Sequence, residues 1–319
     1  MAPVIETRGL VKRYDGDLAV AGLDLVVEAG EIYGLVGPNG AGKTTTMRIL
    51  ATLLAPTAGE ARICGIGVTD DPVEVRRRIG YMPDFYGVYD DLRVWEYLDF
   101  FARCYNVPAN RRATMIGELL EIVGLGEKRD AYVEALSRGM RQRLCLAHTL
   151  VHDPDLLILD EPASGLDPRA RVETREILRT LREMGKTILV SSHILPEMAE
   201  LCTMVGIIDR GRLLRSGRIE EIERSLRASA LLRIDLLSDA VAAIEWLGTR
   251  AGAGDVLRAD GGDGLTRLEV PFDGPPDAQA ALLRSMLEAG HVVVGFAQAT
   301  SDLEEIFLQV TGSDEGTAA

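Results

Sequence analysis

From residue 37 the chain reads Gly37-Pro38-Asn39-Gly40-Ala41-Gly42-Lys43-Thr44-Thr45, a glycine-rich turn matching G-x-x-x-x-G-K-[ST]. Its flanks limit what it can be. Glu31-Ile32-Tyr33-Gly34-Leu35-Val36 reads as a buried strand before it, and Thr44 to Leu54 reads as a helix behind it. A loop without side-chain bulk between a strand and a helix start turns backbone N–H groups toward one point. The helix end adds partial positive charge there. Such a loop cradles phosphate oxygens, with Lys43 reaching the β/γ-phosphates and the Thr44 hydroxyl holding Mg²⁺. Lysine occurs at only four of 319 positions (Lys12, Lys43, Lys128, Lys186), so composition alone does not place one here.

The rhythm around this loop is that of an α/β protein. Strands are expected at about 4–8, 31–36, 60–64, 79–82, 156–160, 187–191, 204–209 and 212–216. Helices are expected at about 43–54, 94–105, 112–123, 140–152, 168–184 and 195–201. Continuous apolar strands such as Leu156–Leu159 suit a parallel sheet buried on both faces. The stretch 84–153 lacks strands and reads as a helical insertion. Beyond about 222 the pattern becomes β-α-β-β-α-β, which predicts a small ferredoxin-like α+β domain over 222–311. Ser301-Asp302-Leu303-Glu304 reads as a capping box opening a last helix to about Val310, and 312–319 as a flexible tail.

Net charge is −14, and −10 of it falls in the 99 residues from Glu221 to Ala319, which hold 17 acidic and 7 basic residues. That balance argues against a nucleic-acid partner, which needs a basic face. No apolar run approaches the roughly 18–20 residues of a membrane span. The start of the chain lacks a signal-peptide pattern, and the four scattered cysteines lack metal-ligand spacing.

A second set of residues completes a site for ATP hydrolysis. Leu156-Leu157-Ile158-Leu159-Asp160-Glu161 is a strand ending in two carboxylates. Asp160 is the expected Mg²⁺ ligand, and Glu161 the base that deprotonates the attacking water. Leu136-Ser137-Arg138-Gly139 stands before a helix from about Met140. Hydroxyl, backbone amides and helix dipole make it a second anion site. One chain does not need two sites for one γ-phosphate, so the second is expected to serve a nucleotide held by another subunit.

In this order the motifs resemble the nucleotide-binding subunits of ABC transporters, and the resemblance covers nearly the whole chain. Tyr14 resembles the aromatic that stacks on adenine, and Asp84 stands at the Gln-loop position. Ser137 and Gly139 belong to the Leu-Ser-x-Gly signature. Asp167 closes the dimer-contacting loop Ser164-Gly165-Leu166-Asp167, and His193 resembles the switch histidine that senses the γ-phosphate. The resemblance implies a P-loop ABC cassette over 1–221, with ATP and Mg²⁺ sandwiched in a head-to-tail dimer, most simply a homodimer. It departs from the family at Asp84, where glutamine is usual and the shorter anion is a candidate Mg²⁺ ligand. It departs also at Arg138, where glycine is commonest, and at Met140.

Nine of the sixteen aromatics lie between Tyr81 and Tyr105, in the region that contacts the membrane permease in the family. Phe85 to Trp95 is the expected contact. The C-terminal region, ending in Asp302-Leu303-Glu304-Glu305-Ile306-Phe307-Leu308, is similar to the accessory domain of ATPases that pair with drug-exporter permeases, including the daunorubicin-resistance type. The resemblance thus implies an exporter ATPase, peripheral on the cytoplasmic face of the membrane, with a separate permease. The alternative is a soluble ABC ATPase of translation or DNA repair, but such proteins carry tandem cassettes or a long coiled coil that this chain lacks.

Overall fold

A computed structural model describes residues 3–84, 87–222, 231–237, 240–248, 257–260, 265–272 and 276–299. The chain divides into two compact units, Met1–Ile219 and Glu220–Ala319.

The first unit opens with a hairpin that the sequence reading left out in part. Strand β1 (Ile5–Tyr14) is longer than expected and pairs antiparallel with β2 (Asp17–Val27). Asp15 and Gly16 between them both have positive φ, 39° and 109°, as a two-residue Asp-Gly hairpin turn requires. The β2 alternation was obscured because Gly22, at φ 79°, shifts the register between Leu10↔Leu23 and Val11↔Ala21. With β4 (Ala58–Ile63) and β5 (Ile66–Gly67) these strands form a sheet in the order β2-β1-β4-β5.

The second sheet carries the site. Its order is β10-β9-β3-β8-β7-β6, from β3 (Ile32–Val36), β6 (Ile79–Met82), β7 (Leu156–Leu159), β8 (Thr187–Ser192), β9 (Met204–Asp209) and β10 (Arg212–Gly217). All neighbours are parallel except β9 and β10. Every residue of β3, β7 and β8 is buried, which accounts for the apolar runs Leu156–Leu159 and Ile188-Leu189-Val190, while Ser191 and Ser192 end β8 on the site. Helix α1 (Lys43–Leu50) packs Met47, Ile49 and Leu50 into a core shared with Leu23, Leu25, Leu35, Ile158 and Leu189. It stops four residues short of the expected end, with Thr52 turning out at φ 61°.

Helix α2 (Pro72–Arg78) was not expected. It is short and buries only Val75, so it has no apolar period, although Asp71 caps it by accepting from the Glu74 N–H at 3.0 Å. Between β6 and β7 the described residues hold α3 (Val94–Cys104), α4 (Ala109–Ile122), α5 (Arg138–Thr149) and no strand. Helix α6 (Pro168–Glu183) starts at the Asp167 cap, and α7 (Leu195–Leu201) follows β8.

The second unit holds β11 (Leu231–Leu236), α8 (Ala240–Gly248), β12 (Leu257–Asp260), β13 (Thr266–Pro271), α9 (Pro276–Glu288) and β14 (Val293–Ala299). Its sheet is antiparallel in the order β12-β13-β11-β14, the ferredoxin-like arrangement. Leu232, Ile234, Leu247, Leu268 and Met286 form its core. The expected capping box, last helix and tail lie outside the described residues. No described helix is long and apolar enough to cross a membrane.

Candidate active site

The carboxyl ends of β3, β7 and β8 lie side by side, and each hands over to residues singled out in the sequence. After β3 comes the glycine loop. Gly40 and Gly42 have φ of 84° and 102°, which residues with a Cβ rarely adopt. Gly37 is required for space: a Cβ there would stand 2.2 Å from the Ile208 carbonyl oxygen. Lys43 folds over the loop, its Nζ donating to the carbonyls of Gly37 (2.6 Å) and Pro38 (3.2 Å) and lying 3.6 Å from Glu161 Oε1. Burial pushes the Lys43 pKa down, against the opposing pull of Glu161, Asp160 and Asp84.

At the end of β7, Asp160 is 1 % exposed. Its Oδ1 accepts from Ser191 Oγ at 2.7 Å, while Oδ2 is buried without a partner. Glu161 adopts φ 50°, a conformation rare outside glycine. Its N–H donates to the same Ser191 Oγ at 2.9 Å, and its Oε2 lies 2.9 Å from His193 Nδ1. Ser191 therefore fixes both acids. Sequence reasoning passed over it, although it stands two residues before His193.

A cleft of about 460 Å³ is lined by residues 38–45 together with Ala19, Asp84, Glu161, Ser164 and His193. The structure thus brings Asp84, Glu161 and His193 to the loop, with Gly37 and Asp160 just beneath. Ser137, Gly139 and Asp167 are elsewhere, in a separate cleft of about 380 Å³ at the start of α5 and α6. There Ser137 caps α5, accepting from the Met140 N–H at 3.3 Å, and Asp167 caps α6, accepting from the Ala170 N–H at 2.8 Å. Tyr14 lines neither cleft. It is exposed at the end of β1, with Lys12 Nζ 5.3 Å from its ring centre.

The donor set suits a polyphosphate with a hard cation. Loop amides and Lys43 are anion donors, and the orphaned Asp160 Oδ2 is a buried acceptor without a proton donor. Among the described residues no cluster of three or more His, Cys, Asp or Glu side chains could hold a metal unaided. A cation here would draw the rest of its shell from phosphate oxygens and water, as Mg²⁺ commonly does.

Residues 20–164 match the ABC transporter family. Over 315 residues the chain is 41 % identical to the daunorubicin/doxorubicin resistance ATP-binding protein DrrA of Streptomyces peucetius, covering 97 % of this chain and 92 % of that one. The chain belongs to the ABC transporter family. A second ABC relative, the Nod factor export ATP-binding protein I of Ralstonia nicotianae, is 37 % identical, covering 98 % of this chain and 95 % of its own length. A solved ATP-binding subunit of an ABC transporter superposes with a TM-score of 0.63 at 30 % identity, covering 70 % of this chain and 92 % of that one. The ADP form of another ABC cassette, 21 % identical, shares the fold with a TM-score of 0.63, covering 69 % of this chain and 93 % of its own. This chain is accordingly an ATP-binding, ATP-hydrolysing ABC subunit, and the reading as a soluble ATPase of translation or repair is not favoured.

Proposed function

We propose that this ATPase drives export through a separate membrane permease, working at the cytoplasmic face as a head-to-tail pair with two shared ATP sites. One observation carries the pairing: the phosphate loop and the Ser137/Gly139 helix start occupy different clefts of one chain. Each has half the donors that a sandwiched γ-phosphate needs, so a second copy, turned about a two-fold axis, supplies the other half. Support for export comes from the two relatives that match almost end to end, one a drug-resistance and one a Nod-factor-export ATP-binding protein. In this reading residues 1–221 are the motor, with the helical insertion at about 84–153, and 222–311 are an accessory domain.

The roles follow from the geometry. Residues 37–45 hold the phosphates through backbone N–H groups, and Lys43 exchanges its loop carbonyls for phosphate oxygens. Thr44, Asp160 and Asp84 would hold Mg²⁺, which would neutralise phosphate charge there. Glu161 takes the proton of the attacking water, and His193, hydrogen-bonded to it, sets its direction toward the γ-phosphate. Tyr14 stacks on adenine from outside the cleft, and Asp167 meets the facing copy. Tyr89 and Phe100, both exposed and in edge contact with ring centres 5.7 Å apart, offer the permease an aromatic surface, whereas Tyr97 is buried beneath them. Of the expected contact segment, Phe85 and Tyr86 lie outside the described residues.

Mixing two inactive variants tests the pairing. Lys43→Ala spoils the cradle and Ser137→Arg the signature, so each alone forms no intact site. In a mixed head-to-tail pair one site is wholly wild type, and equal mixing restores about a quarter of wild-type turnover. No recovery on mixing would refute the shared sites. The permease contact is checked separately: Tyr89→Glu abolishes permease binding and leaves the turnover of the soluble protein unchanged.

A further inference from the structure

We infer that Gln142 is a positioning residue for the catalytic carboxylate, tying the peptide after Glu161 to the helix that begins at the signature. This rests on the reading of Glu161 as the base.

Gln142 lies on α5, 4 % exposed, in the turn behind Ser137 and Gly139. Its Nε2 donates to the carbonyl oxygen of Pro162, the residue directly after Glu161. Only the NH₂ end of an amide can donate to a carbonyl, so the side chain's orientation is fixed, and its Oε1 is left buried without a partner. A stranded acceptor costs about 1–3 kcal/mol, which an apolar side chain of the same length would avoid. Packing alone therefore does not explain a glutamine here. The donor does.

What it holds is unusual backbone. Glu161 at φ 50° is in a conformation that persists only where its surroundings over-determine it. From one side Ser191 Oγ accepts the Glu161 N–H at 2.9 Å. Within the turn, the Ser164 N–H donates to the Glu161 carbonyl at 3.0 Å. From the other side comes Gln142. Arg138 adds a parallel tie one turn earlier, its Nη2 donating to the Ser164 carbonyl at 3.2 Å. A Cβ on Gly139 would stand 3.2 Å from Ala170 Cβ, so the helix start packs directly on the start of α6.

In the paired enzyme the signature of one chain meets the ATP held by the other, while Glu161 serves the ATP held by its own. Gln142 then connects the two. A shift of α5 when its signature engages one nucleotide moves the carbonyl beside the base that deprotonates the water attacking the other.

The test uses the full chain with Gln142→Met, which keeps length and loses the donor, and Gln142→Leu, which removes the donor and the stranded acceptor together. Both are expected to lower kcat about tenfold, the effect of one lost hydrogen bond, while the KM for ATP and the melting temperature stay near wild type. Wild-type kcat in either variant overturns the inference. So does a loss of kcat that comes with weaker ATP binding or a lower melting temperature, since Gln142 would then serve only the fold. Glu161→Gln is assayed in parallel. Retained turnover there would remove Glu161 as the base, whatever Gln142 does.

Discussion

Replacing Ser191 by alanine should damage this enzyme more than its position inside a strand suggests. The Ser191 hydroxyl donates to Asp160 Oδ1 at 2.7 Å and accepts from the Glu161 N–H at 2.9 Å. Alanine deletes both. Losing a hydrogen bond to a charged, buried carboxylate costs about 1.5–3 kcal/mol and losing a neutral one about 0.5–1.5, so the sum is roughly 2–4 kcal/mol. For a unit of this size each kcal/mol lowers the melting temperature by about 2–4 °C, giving a fall of roughly 5–15 °C. Asp160 would be left with neither oxygen partnered, and Glu161 without the bond that holds its backbone. Turnover should therefore drop by about one to two orders of magnitude, equivalent to about 1.4–2.7 kcal/mol at the barrier. ATP affinity should change little, because the cradle's donors sit on the loop after β3. The assay pairs thermal melts with steady-state turnover and nucleotide titration. Wild-type turnover with a melting temperature within about 1 °C of wild type would refute the reasoning.

Three further outcomes are expected. Asp84→Ala should reduce turnover and raise the Mg²⁺ concentration needed for half-maximal rate; an unchanged rate would remove Asp84 from the site. Gly37→Ala should destabilise the protein by about 2–3 kcal/mol or more in urea unfolding and weaken nucleotide binding, because its Cβ has only 2.2 Å to a backbone oxygen that cannot swing away. The third concerns acid. Burial, then the neighbouring His152, pushes the His148 pKa down to about 4 from 6.5. As pH falls from 6.5 toward 4 the unfolded chain takes up a proton that the folded chain refuses, so this contribution is complete above pH 6.5 and lost below it. It amounts to at most about 3 kcal/mol, and His148→Phe should flatten the corresponding slope of unfolding free energy between pH 7 and 5.

Much of this arrangement was legible because certain physical demands allow few residues. A loop with φ near 100° and no room for a Cβ calls for glycine, and a strand buried on both faces calls for an unbroken apolar run. The phosphate loop, β3 and β7 were therefore plain, and β8 through its Ile188-Leu189-Val190 centre. β2 was hidden by a bulge that broke its alternation, and α2 by a burial pattern of one residue. Ser191 and Gln142 escaped for a different reason. Each acts through hydrogen bonds to a neighbouring element, and no spacing along the chain records which elements become neighbours. Tyr14 shows the converse: its place in the motif order was legible, but one chain leaves it exposed outside both clefts.

The cleft carries its own counter-ion. Lys43 is already engaged by two loop carbonyls and stands 3.6 Å from Glu161, so an arriving anion enters an occupied seat. A small anion meets the cradle at one point and has to compete with a carboxylate tethered to the same molecule. A nucleotide's phosphate chain, gripped along its length by successive amides, gains its hold before it has to compete for the lysine. The pair thereby favours an extended phosphate chain over a small anion at the same seat.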